Sequence, residues 1–308
     1  MFLSIFVPRM EDYGNWLKQQ LGVKVQKISV NAGFTCPNRD GRVGWGGCTF
    51  CNNQTFNPDY CQGGKSVTQQ LEEGKAFFGR KYPEMKYLAY FQAYTSTYDS
   101  VEHCIALYEE ALHVKDVVGI VIGTRPDCMP EALLDYLEQL TSRTFLIVEY
   151  GVESANDETL RRVNRGHTWA QSVETICETA RRGIRVGAHV ILGLPGEGHD
   201  ELMRQADLIA QLPLTTLKLH QLQIIRGTRM AEEYAANPWP MPTVEEYIDL
   251  VLEYISHLPS QLILERFVSS SPASLLIAPR WGLKNYEFVN LVNKRKSIIF
   301  ASKTRIIE

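Results

Sequence analysis

Three of the seven cysteines in this chain stand close together, in a stretch that reads GFTCPNRDGRVGWGGCTFCNN. Eleven residues separate Cys36 from Cys48, and two separate Cys48 from Cys51. Thiolates bind zinc and iron–sulfur clusters, and a close pair of thiols can also form a reversible disulfide. The glycines between the cysteines allow tight folding around a bulky group, because glycine adopts positive φ without strain. The stretch therefore predicts a metal or redox site.

The spacing of these cysteines leaves three kinds of site open. A structural zinc site needs four ligands, usually as two close pairs, and the nearest additional cysteine is Cys61. A redox pair would use Cys48 and Cys51 and would leave Cys36 without a role. A [4Fe–4S] cluster held by three thiolates leaves one iron open to a further ligand. On spacing alone we favour the open cluster over zinc, and zinc over the redox pair.

Composition restricts the class of protein. The 308 residues are 44% hydrophobic and 22% charged, with a formal net charge of −3. This balance is typical of a globular protein and not of one that coats nucleic acid. The N-terminal run MFLSIFVPRM is too short to span a bilayer and lacks the basic flank of an export signal. An odd number of cysteines argues against a disulfide framework, so we expect a cytoplasmic protein with reduced thiols and no membrane partner.

Short apolar runs alternate with segments of helical periodicity, which places the cysteine-rich stretch within an α/β protein. The predicted strands are Gln26–Asn31, Tyr87–Gln92, Val117–Thr124, Phe145–Tyr150, Arg185–Leu192, Thr216–Leu222 and Leu262–Phe267. The predicted helices are Ser66–Arg80, Ser100–Val114, Pro130–Thr141, Thr168–Arg182, His199–Gln211 and Thr243–His257. Because the strands are continuous apolar runs, they are typical of a parallel sheet buried on both faces.

Five consecutive predicted strands end in polar or glycine-rich motifs. The cysteine-rich stretch follows the first strand, and the later ends carry QAYTSTYD, RPD, GVES and GLPGE. Repeated βαβ units form either an open doubly wound sheet or a complete or partial barrel. In each case ligands bind at the carboxyl ends of the strands. We therefore predict that the five motifs meet in one site.

In combination these motifs resemble the radical S-adenosylmethionine (SAM) superfamily. The wide cysteine spacing is similar to the branch that contains the Elongator catalytic subunit, and the likeness is greatest to the YhcC/YtqA-like group. It runs through GFTCPNRDG, FQAYTSTY, GTRPDC, VEYGVESANDETLRRVNRGHT, HVILGLPGE, LKLHQLQIIRGT and APRWGLKNYEF. The resemblance implies a partial (β/α)₆ barrel of the TIM type at residues 26–235. An N-terminal extension at 1–25 and a small C-terminal extension at 236–308, a candidate substrate-binding region, would flank it.

The resemblance implies a [4Fe–4S] cluster bound by Cys36, Cys48 and Cys51, with SAM on the fourth iron through its amino and carboxylate groups. Reductive cleavage of SAM would give methionine and a 5′-deoxyadenosyl radical that takes a hydrogen atom from the substrate. An electron donor such as flavodoxin or ferredoxin is also implied. The cofactors carry this chemistry, while the protein orients the reactants and excludes water and oxygen.

The resemblance also implies which residues contact the polar groups of SAM. Thr95, with Gln92 beside it, stands where relatives receive the SAM amino group. Glu153 stands in the place of a glutamine that bonds the ribose or the amino group. Arg165 stands where an arginine pairs with the SAM carboxylate, and a guanidinium suits that task because it makes two parallel charge-assisted bonds.

Four further residues are expected around the rest of SAM. His189 stands where some relatives direct an aspartate at the ribose. Ile191 and Leu192 would line the adenine through backbone and apolar contacts. Phe50 directly precedes the last cysteine of the motif, so its apolar ring would lie beside the ligand of the open iron.

The related groups modify the wobble uridine of transfer RNA (tRNA), so the resemblance implies a tRNA substrate. RNA binding needs basic groups and stacking rings. A basic-aromatic segment near the end of the chain offers Arg280, Trp281, Lys284, Tyr286, Lys294, Arg295 and Lys296. A small-molecule substrate, as in the related oxygen-independent coproporphyrinogen oxidase, is the alternative reaction. A non-catalytic iron–sulfur or zinc module is the other alternative, and it accounts for the cysteines but not for the motifs at the other strand ends.

Overall fold

The computed structural model describes residues 12–55, 57–79 and 84–307, with side chains as far as residue 298. The N-terminal apolar run and the last residue of the predicted helix Ser66–Arg80 lie outside this description. The strands are β1 (Val25–Val30), β2 (Lys86–Phe91), β3 (Val117–Thr124), β4 (Phe145–Glu153), β5 (Arg185–Leu192), β6 (Thr216–Gln221), β7 (Ile224–Ile225), β8 (Ile263–Arg266) and β9 (Leu276–Ala278). Seven of them form one parallel sheet in the order β1-β2-β3-β4-β5-β6-β8, and β7 pairs with β9 in an antiparallel ribbon.

Helices connect successive strands of the sheet. They are α1 (Tyr13–Leu21), α2 (Val67–Gly79), α3 (Val101–Leu112), α4 (Glu131–Leu140), α5 (Asp157–Arg162), α6 (Trp169–Arg181), α7 (His199–Ile209), α8 (Arg229–Ala236), α9 (Val244–Ser256) and α10 (Asn285–Ile307). Capping boxes begin α6 and α9, where Thr168 and Thr243 exchange hydrogen bonds with the third residue of each helix. No helix in the described part of the chain is long and apolar enough to cross a membrane.

Side-chain contacts show how far the sheet curls. Lys27 on β1 and Glu265 on β8, the two edge strands, form an ion pair with 2.8 Å between Nζ and Oε2. In a flat sheet of this size the edges would lie about 29 Å apart, since neighbouring strands are spaced about 4.8 Å. The sheet is therefore rolled into a half-barrel, which confirms the predicted partial barrel of parallel strands.

Alternation along the strands separates an outer apolar face from an inner mixed one. On β6, Leu217 and Leu219 lie in the main hydrophobic core, whereas Lys218 and His220 face the inside of the half-barrel. The same core contains residues of α2, α3, α4, α6, α7 and α9, so these helices cover the outer face. The inner face is left for ligands and for the groups that hold them.

The first helix closes the half-barrel at the amino ends of the strands. Trp16 and Leu17 of α1 pack inside it against a small apolar cluster that includes Leu88, Phe145 and Ile147. The Trp16 and Phe145 rings meet edge to face, with centroids 6.0 Å apart. Because α1 contacts both β1 and β8, it spans the gap between the two edge strands.

All seven predicted strands and all six predicted helices are present, with ends displaced by a few residues. The helices α1, α5, α8 and α10 and the β7–β9 ribbon are not among the predicted elements. The six residues of α5 and the two of β7 are too few to show a periodicity. One strand, β8, lies within the segment assigned to the C-terminal extension, so the expected boundary at residue 235 falls inside the sheet.

We expect Trp16→Ala to lower the free energy of unfolding by about 3–5 kcal/mol, the usual cost of removing a large buried aromatic side chain. Urea denaturation of the full chain measures this loss, with Trp16→Phe as the matched variant that retains an aromatic ring. A loss below about 1 kcal/mol for Trp16→Ala would show that α1 does not seal the half-barrel.

Candidate functional site

A pocket opens at the carboxyl ends of the strands. Four of the five predicted motifs contribute to its lining: the cysteine-rich stretch, QAYT, the arginine of RPD, and GVES. The fifth motif, GLPGE, lines a second cavity instead, because the chain turns away at Gly193, where φ is 92°.

Ten of the eleven predicted site residues border the pocket: Cys36, Cys48, Phe50, Cys51, Gln92, Thr95, Glu153, Arg165, His189 and Ile191. The exception is Leu192, whose side chain is 2% exposed and lies in the main core beside the second cavity. Strand alternation explains the difference, because consecutive residues of β5 point to opposite faces. Leu192 is therefore a packing residue of the outer face.

Hydrogen bonds hold the cysteine-rich stretch against the segment that follows α5. The Asn38 side chain is fully buried, and its Nδ2 donates to the Arg165 carbonyl at 3.2 Å and to the Asn164 carbonyl. The same Nδ2 lies 3.6 Å from the Cys48 sulfur. The backbone N–H of Thr49 donates to the Val163 carbonyl at 2.9 Å. These bonds fix the position of Cys48 relative to the ends of the central strands.

The three thiols that border the pocket form a donor set of the kind that binds an iron–sulfur cluster. Burial, together with the neighbouring Cys48, raises the pKa of the Cys51 thiol to about 11. Thiolates at such a site need a cation beside them, because burial alone favours the protonated form. Within the described ranges, no three His, Cys, Asp or Glu side chains lie close enough together to hold a single metal ion. The donor set that borders the pocket is three thiols, which is the chemistry of an iron–sulfur cluster.

Thr95 presents a buried polar atom without a partner. Its backbone N–H donates to the Thr35 carbonyl at 3.2 Å, but its Oγ1 has no hydrogen bond within the described residues. The side chain is almost fully buried and borders the pocket. An unsatisfied buried hydroxyl costs free energy, so its presence here indicates a group reserved for a ligand. Gln92 lies nearby at the end of β2 and accepts a long bond, 3.4 Å, from Ser29.

Arg165 lies between a cysteine and a carboxylate. Its Nη1 is 3.6 Å from the Cys48 sulfur, its Nη2 donates to the Gly151 carbonyl at 2.6 Å, and its Nε donates to His167 at 3.0 Å. Glu153 is 3.5 Å away. Burial alone would lower the pKa of the guanidinium, but Cys48 and Glu153 raise that pKa above its ordinary value. Burial and the adjacent Arg165 lower the pKa of His167 to about 3, so the imidazole is neutral.

Backbone strain is concentrated around these groups. Four non-glycine residues in the described ranges have positive φ, and three of them are Tyr94 at 60°, Glu153 at 66° and Asn164 at 54°. Tyr94 and Glu153 border the pocket, and Asn164 directly precedes Arg165. The pairing of β4 with β5 also shifts register between Gly151 and Glu153. Strained residues of this kind are common at functional sites, where they re-aim side chains.

An apolar wall faces the cysteines. Phe50 and Ile191 both border the pocket and pack against one small cluster that includes Leu194 and Leu222. His189, two residues before Ile191 on β5, directs Nε2 at Glu149 with a separation of 3.0 Å. His189 therefore lies deeper in the half-barrel than its neighbour and is already paired with a carboxylate.

Sequence reasoning missed an ion network at the floor of the pocket. Glu149 is 1% exposed and accepts from Lys27 and Lys218, each at 2.7 Å. Glu265 is 2.8 Å from Lys27 and 3.1 Å from Lys218. Burial alone would raise the pKa of Glu149, but the two lysines hold it well below its usual range. The signal was present in TLKLHQ and LILERF, where charged residues interrupt strands that are otherwise largely apolar.

Arg125 comes from the predicted RPD motif but was not named individually among the expected site residues. Its guanidinium makes two parallel bonds of 2.9 Å to Asp127, yet its Nη1 is buried without a partner in the described chain. The residue borders the pocket next to Thr124. Its position at the end of β3 matches the predicted contribution of the RPD motif.

The predicted basic-aromatic segment does not reach the pocket. All seven of its residues lie in the described ranges, and none borders it. The Trp281 ring stacks on Phe288 with an interplanar angle of 10°, and its Nε1 donates to the Pro242 carbonyl at 3.1 Å. Arg295 makes bonds of 2.8 and 2.7 Å to Asp249. Trp281 is thus a packing residue, and Arg295 is neutralised, which corrects the expected stacking surface.

Comparison with known proteins places these features in a family. Residues 34–209 match the Radical SAM superfamily, and residues 214–297 match the Radical SAM C-terminal domain. The chain is 36% identical to YtqA of Bacillus subtilis over 278 residues. The aligned region spans 90% of this chain and 86% of YtqA. It is 38% identical to YhcC of Escherichia coli K12 over 270 residues. The aligned region spans 87% of this chain and 86% of YhcC.

A solved structure supports the same fold. The archaeal Elp3 of Methanocaldococcus infernus superimposes with a TM-score of 0.64 at 17% identity, over 89% of this chain and 62% of that one. The family match extends over more than half of the chain, and the bacterial relatives align with nearly all of it. The chain belongs to the radical SAM superfamily.

Proposed function

We propose that this protein is a radical SAM enzyme that modifies the side chain of a tRNA wobble uridine. The observation that carries the catalytic part is the composition of one pocket. Three thiols border it together with an unpaired buried hydroxyl, Thr95, and a buried guanidinium, Arg165. The family implies a [4Fe–4S] cluster and SAM, and the donor set fits both.

Cys36, Cys48 and Cys51 would hold the cluster. When bound, the cluster and SAM supply reductive cleavage of a sulfur–carbon bond and a radical that takes a hydrogen atom from the substrate. The protein directs two N–H donors at the Cys48 sulfur, from Asn38 and Arg165. Hydrogen bonds to ligand sulfurs tune the potential of an iron–sulfur cluster and fix the ligand's orientation. The pocket therefore controls the cluster through neighbours of the cysteines as well as through the cysteines themselves.

Thr95, Glu153 and Arg165 would bind the polar end of SAM. The unpaired Thr95 hydroxyl can accept a hydrogen bond from an ammonium group. Arg165 uses three of its five N–H groups on His167, Cys48 and Gly151 and keeps donors for a carboxylate. Glu153 is held beside Arg165 by its left-handed backbone and offers an acceptor to a hydroxyl or an amine. Phe50 and Ile191 would cover the adenine.

An electron donor of the flavodoxin or ferredoxin type belongs to the proposal. Radical SAM chemistry begins with reduction of the cluster, which needs such a donor. The side chains of Cys36 and Cys51 are partly exposed. A cluster on these residues would lie near the surface, where a small redox protein can approach it.

A basic-aromatic rim beside the cysteines supports an RNA substrate. We call it the mouth rim, and its members are Arg39, Arg42, Trp45, Tyr94 and Tyr98. The Arg39 guanidinium lies 5.8 Å from the Tyr94 ring centroid, and that of Arg42 lies 5.7 Å from the Tyr98 ring centroid. The Trp45 side chain is 75% exposed. Cations bind phosphates, and exposed rings stack on unpaired bases, as RNA recognition requires.

The function is tested by anaerobic incubation of the reconstituted full chain with SAM, a reductant and bulk tRNA, followed by nucleoside mass spectrometry. A changed wobble-uridine nucleoside, absent when Cys48→Ala replaces the wild-type chain, supports the proposal. If tRNA stays unchanged while a small metabolite in a cell extract is turned over, the substrate is a small molecule and the tRNA assignment is wrong.

Loss of any one motif thiol should abolish cluster assembly. We expect about four irons and four sulfides per chain after anaerobic reconstitution of the wild-type chain, and far fewer for Cys36→Ala, Cys48→Ala or Cys51→Ala. Cys177→Ala is the matched control, because Cys177 is exposed and does not border the pocket. Iron and sulfide assays with visible absorption spectra measure the outcome. Stoichiometric zinc uptake without iron would contradict the assignment.

Thr95→Val should weaken SAM binding without weakening the fold. Valine has the same shape, and the hydroxyl that it removes has no partner among the residues that the structure describes. A hydrogen bond to a charged group contributes about 1.5–3 kcal/mol, so we expect the Kd for SAM to rise roughly 10- to 150-fold. Isothermal titration of the reconstituted protein measures it. The control is Ser96→Ala, since Ser96 Oγ is also buried and unpaired but does not border the pocket. Equal losses in both variants would contradict a specific role for Thr95.

The mouth rim should contribute to tRNA affinity in two separable ways. Trp45→Ala should cost about 1–3 kcal/mol of binding free energy, with little dependence on salt, because stacking is lost. Arg42→Gln should weaken binding and reduce the slope of log K against log salt by about one, because one phosphate contact is lost. Equilibrium binding at several salt concentrations measures both effects.

Tyr286→Ala is the matched control for Trp45→Ala. Tyr286 is a comparably exposed ring, 61%, but it lies in the C-terminal segment away from the pocket. Unchanged tRNA affinity in Tyr286→Ala and reduced affinity in Trp45→Ala identify the mouth rim as the interface. Reduced affinity in Tyr286→Ala and unchanged affinity in Trp45→Ala would instead assign the RNA surface to the C-terminal segment.

A further inference from the structure

Within the part of the chain that the structure describes, one cation at the floor of the pocket, Arg266, has no counter-charge. Three cationic side chains, Lys27, Lys218 and Arg266, share the inside of the half-barrel with two carboxylates, Glu149 and Glu265. Both lysines bond to the carboxylates at 2.7–3.1 Å. Among the residues that the structure describes, Arg266 has neither an ion-pair partner nor a hydrogen-bond acceptor. It is partly buried and borders the pocket.

A β-bulge directs Arg266 into the pocket. In the pairing of β6 with β8, Leu217 lies opposite Leu264, but Lys218 lies opposite Arg266, so the register skips Glu265. Consecutive residues of a regular strand point to opposite faces. Here the side chains of Glu265 and Arg266 both lie inside the half-barrel. Glu265 belongs to the ion network, and Arg266 borders the pocket. Bulges that re-aim a side chain are common beside active sites.

His220 adds an unpaired nitrogen on the same side. It lies two residues after Lys218 on β6, and its Nδ1 contacts the Ser269 hydroxyl. Its Nε2 is buried and has no partner within the described chain. A serine hydroxyl that donates to Nδ1 leaves the ring proton on Nε2, which then becomes a donor. In this tautomer, Arg266 and His220 present N–H groups to the pocket that nothing in the described residues accepts.

The loop after β8 is braced around these groups. The Gln221 side chain bonds to both backbone groups of Ser269, donating to its carbonyl at 3.0 Å and accepting from its N–H at 2.7 Å. Gln223 accepts from the Ser271 hydroxyl at 2.7 Å, and the Asn285 side chain accepts from the Phe267 N–H at 2.9 Å. Such bracing holds donors in place before a ligand arrives, which is typical of a built binding site.

We propose that Arg266 and His220 form a subsite for an anionic group, a carboxylate or a phosphate, that is carried by the substrate. The inference rests on the proposed role of this pocket as the place of reaction, but not on the substrate being a tRNA. A planar guanidinium with a neighbouring N–H donor matches the oxygen pairs of both groups. The subsite lies on β6 and β8, whereas three of the candidate SAM contacts lie elsewhere: Thr95 after β2, Glu153 at the end of β4 and Arg165 after α5.

The test uses the reconstituted full chain, titrated separately with inorganic phosphate and with acetate at constant ionic strength. Ligands that bind only the folded state raise Tm in a saturable manner, and we expect a rise of about 2–4 °C for a chain of this size. A response to one of the two anions alone identifies the class of group. The matched control is Arg229→Gln, an exposed arginine paired with Glu233, which should respond as the wild type does.

Arg266→Gln should abolish the saturable response, because the charge is lost. Arg266→Lys should reduce it, because lysine keeps the charge but lacks the planar guanidinium that bonds two oxygens at once. Without added anion, Arg266→Gln should unfold at the same temperature as the wild type or above it, because no protein partner is lost and repulsion with Lys218 is removed. Equal responses in wild type and Arg266→Gln would overturn the proposal. So would a loss of SAM affinity in Arg266→Gln as large as the loss of anion response, which would assign Arg266 to SAM.

The two proposals fail separately. An Arg266-dependent anion response in a protein that leaves bulk tRNA unchanged refutes the tRNA substrate and supports the subsite. Wobble-uridine modification by a protein whose anion response survives Arg266→Gln supports the tRNA substrate and refutes the subsite.

Discussion

The buried ion network of Lys27, Glu149, Lys218 and Glu265 is the constraint on which the rest of the structure depends. Its members come from β1, β4, β6 and β8, so their bonds can form only when the sheet is rolled up. Desolvated charges of this kind are costly when one partner is missing. The network therefore selects one curvature for the sheet, and that curvature decides which loops meet at the carboxyl ends of the strands.

The inside of the half-barrel is organised in three layers. Apolar side chains and α1 fill the lower end, the ion network and Arg266 lie above them, and the thiols and Thr95 lie at the top. The ion network gives the pocket a polar floor without exposing it to bulk water from below. This arrangement suits the proposed radical chemistry, which requires that water be kept away from the reacting groups.

The fold and much of the site could be predicted from the sequence because both depend on local patterns. Apolar runs and helical periodicity located the strands and helices, and the rule that ligands bind at strand ends predicted that the motifs meet. The resemblance to the radical SAM superfamily supplied the individual site residues, ten of which border the pocket. Leu192 was expected at the pocket because it directly follows Ile191 in the same motif. Consecutive residues of a strand point to opposite faces, so only Ile191 borders the pocket. The ion network and Arg266 were missed because their function depends on pairing across the sheet, and the bulge that re-aims Arg266 arises only from the register of β6 with β8. Trp281 was misread because composition does not reveal whether a ring is stacked on a neighbour such as Phe288.

The position of α1 has a consequence for how the chain reaches this structure. α1 precedes β1 in the chain and contacts both β1 and β8. Lys27 and Glu265 are 238 residues apart in the chain, and contacts over such separations form slowly because a long loop must close first. The apolar cluster that buries Trp16 and Leu17 includes Ile263 of β8, so it is complete only after the last strand of the sheet has been made. Until then part of the apolar face of α1 lacks its cover, and shielding of the nascent helix by a chaperone would protect a step that is prone to aggregation.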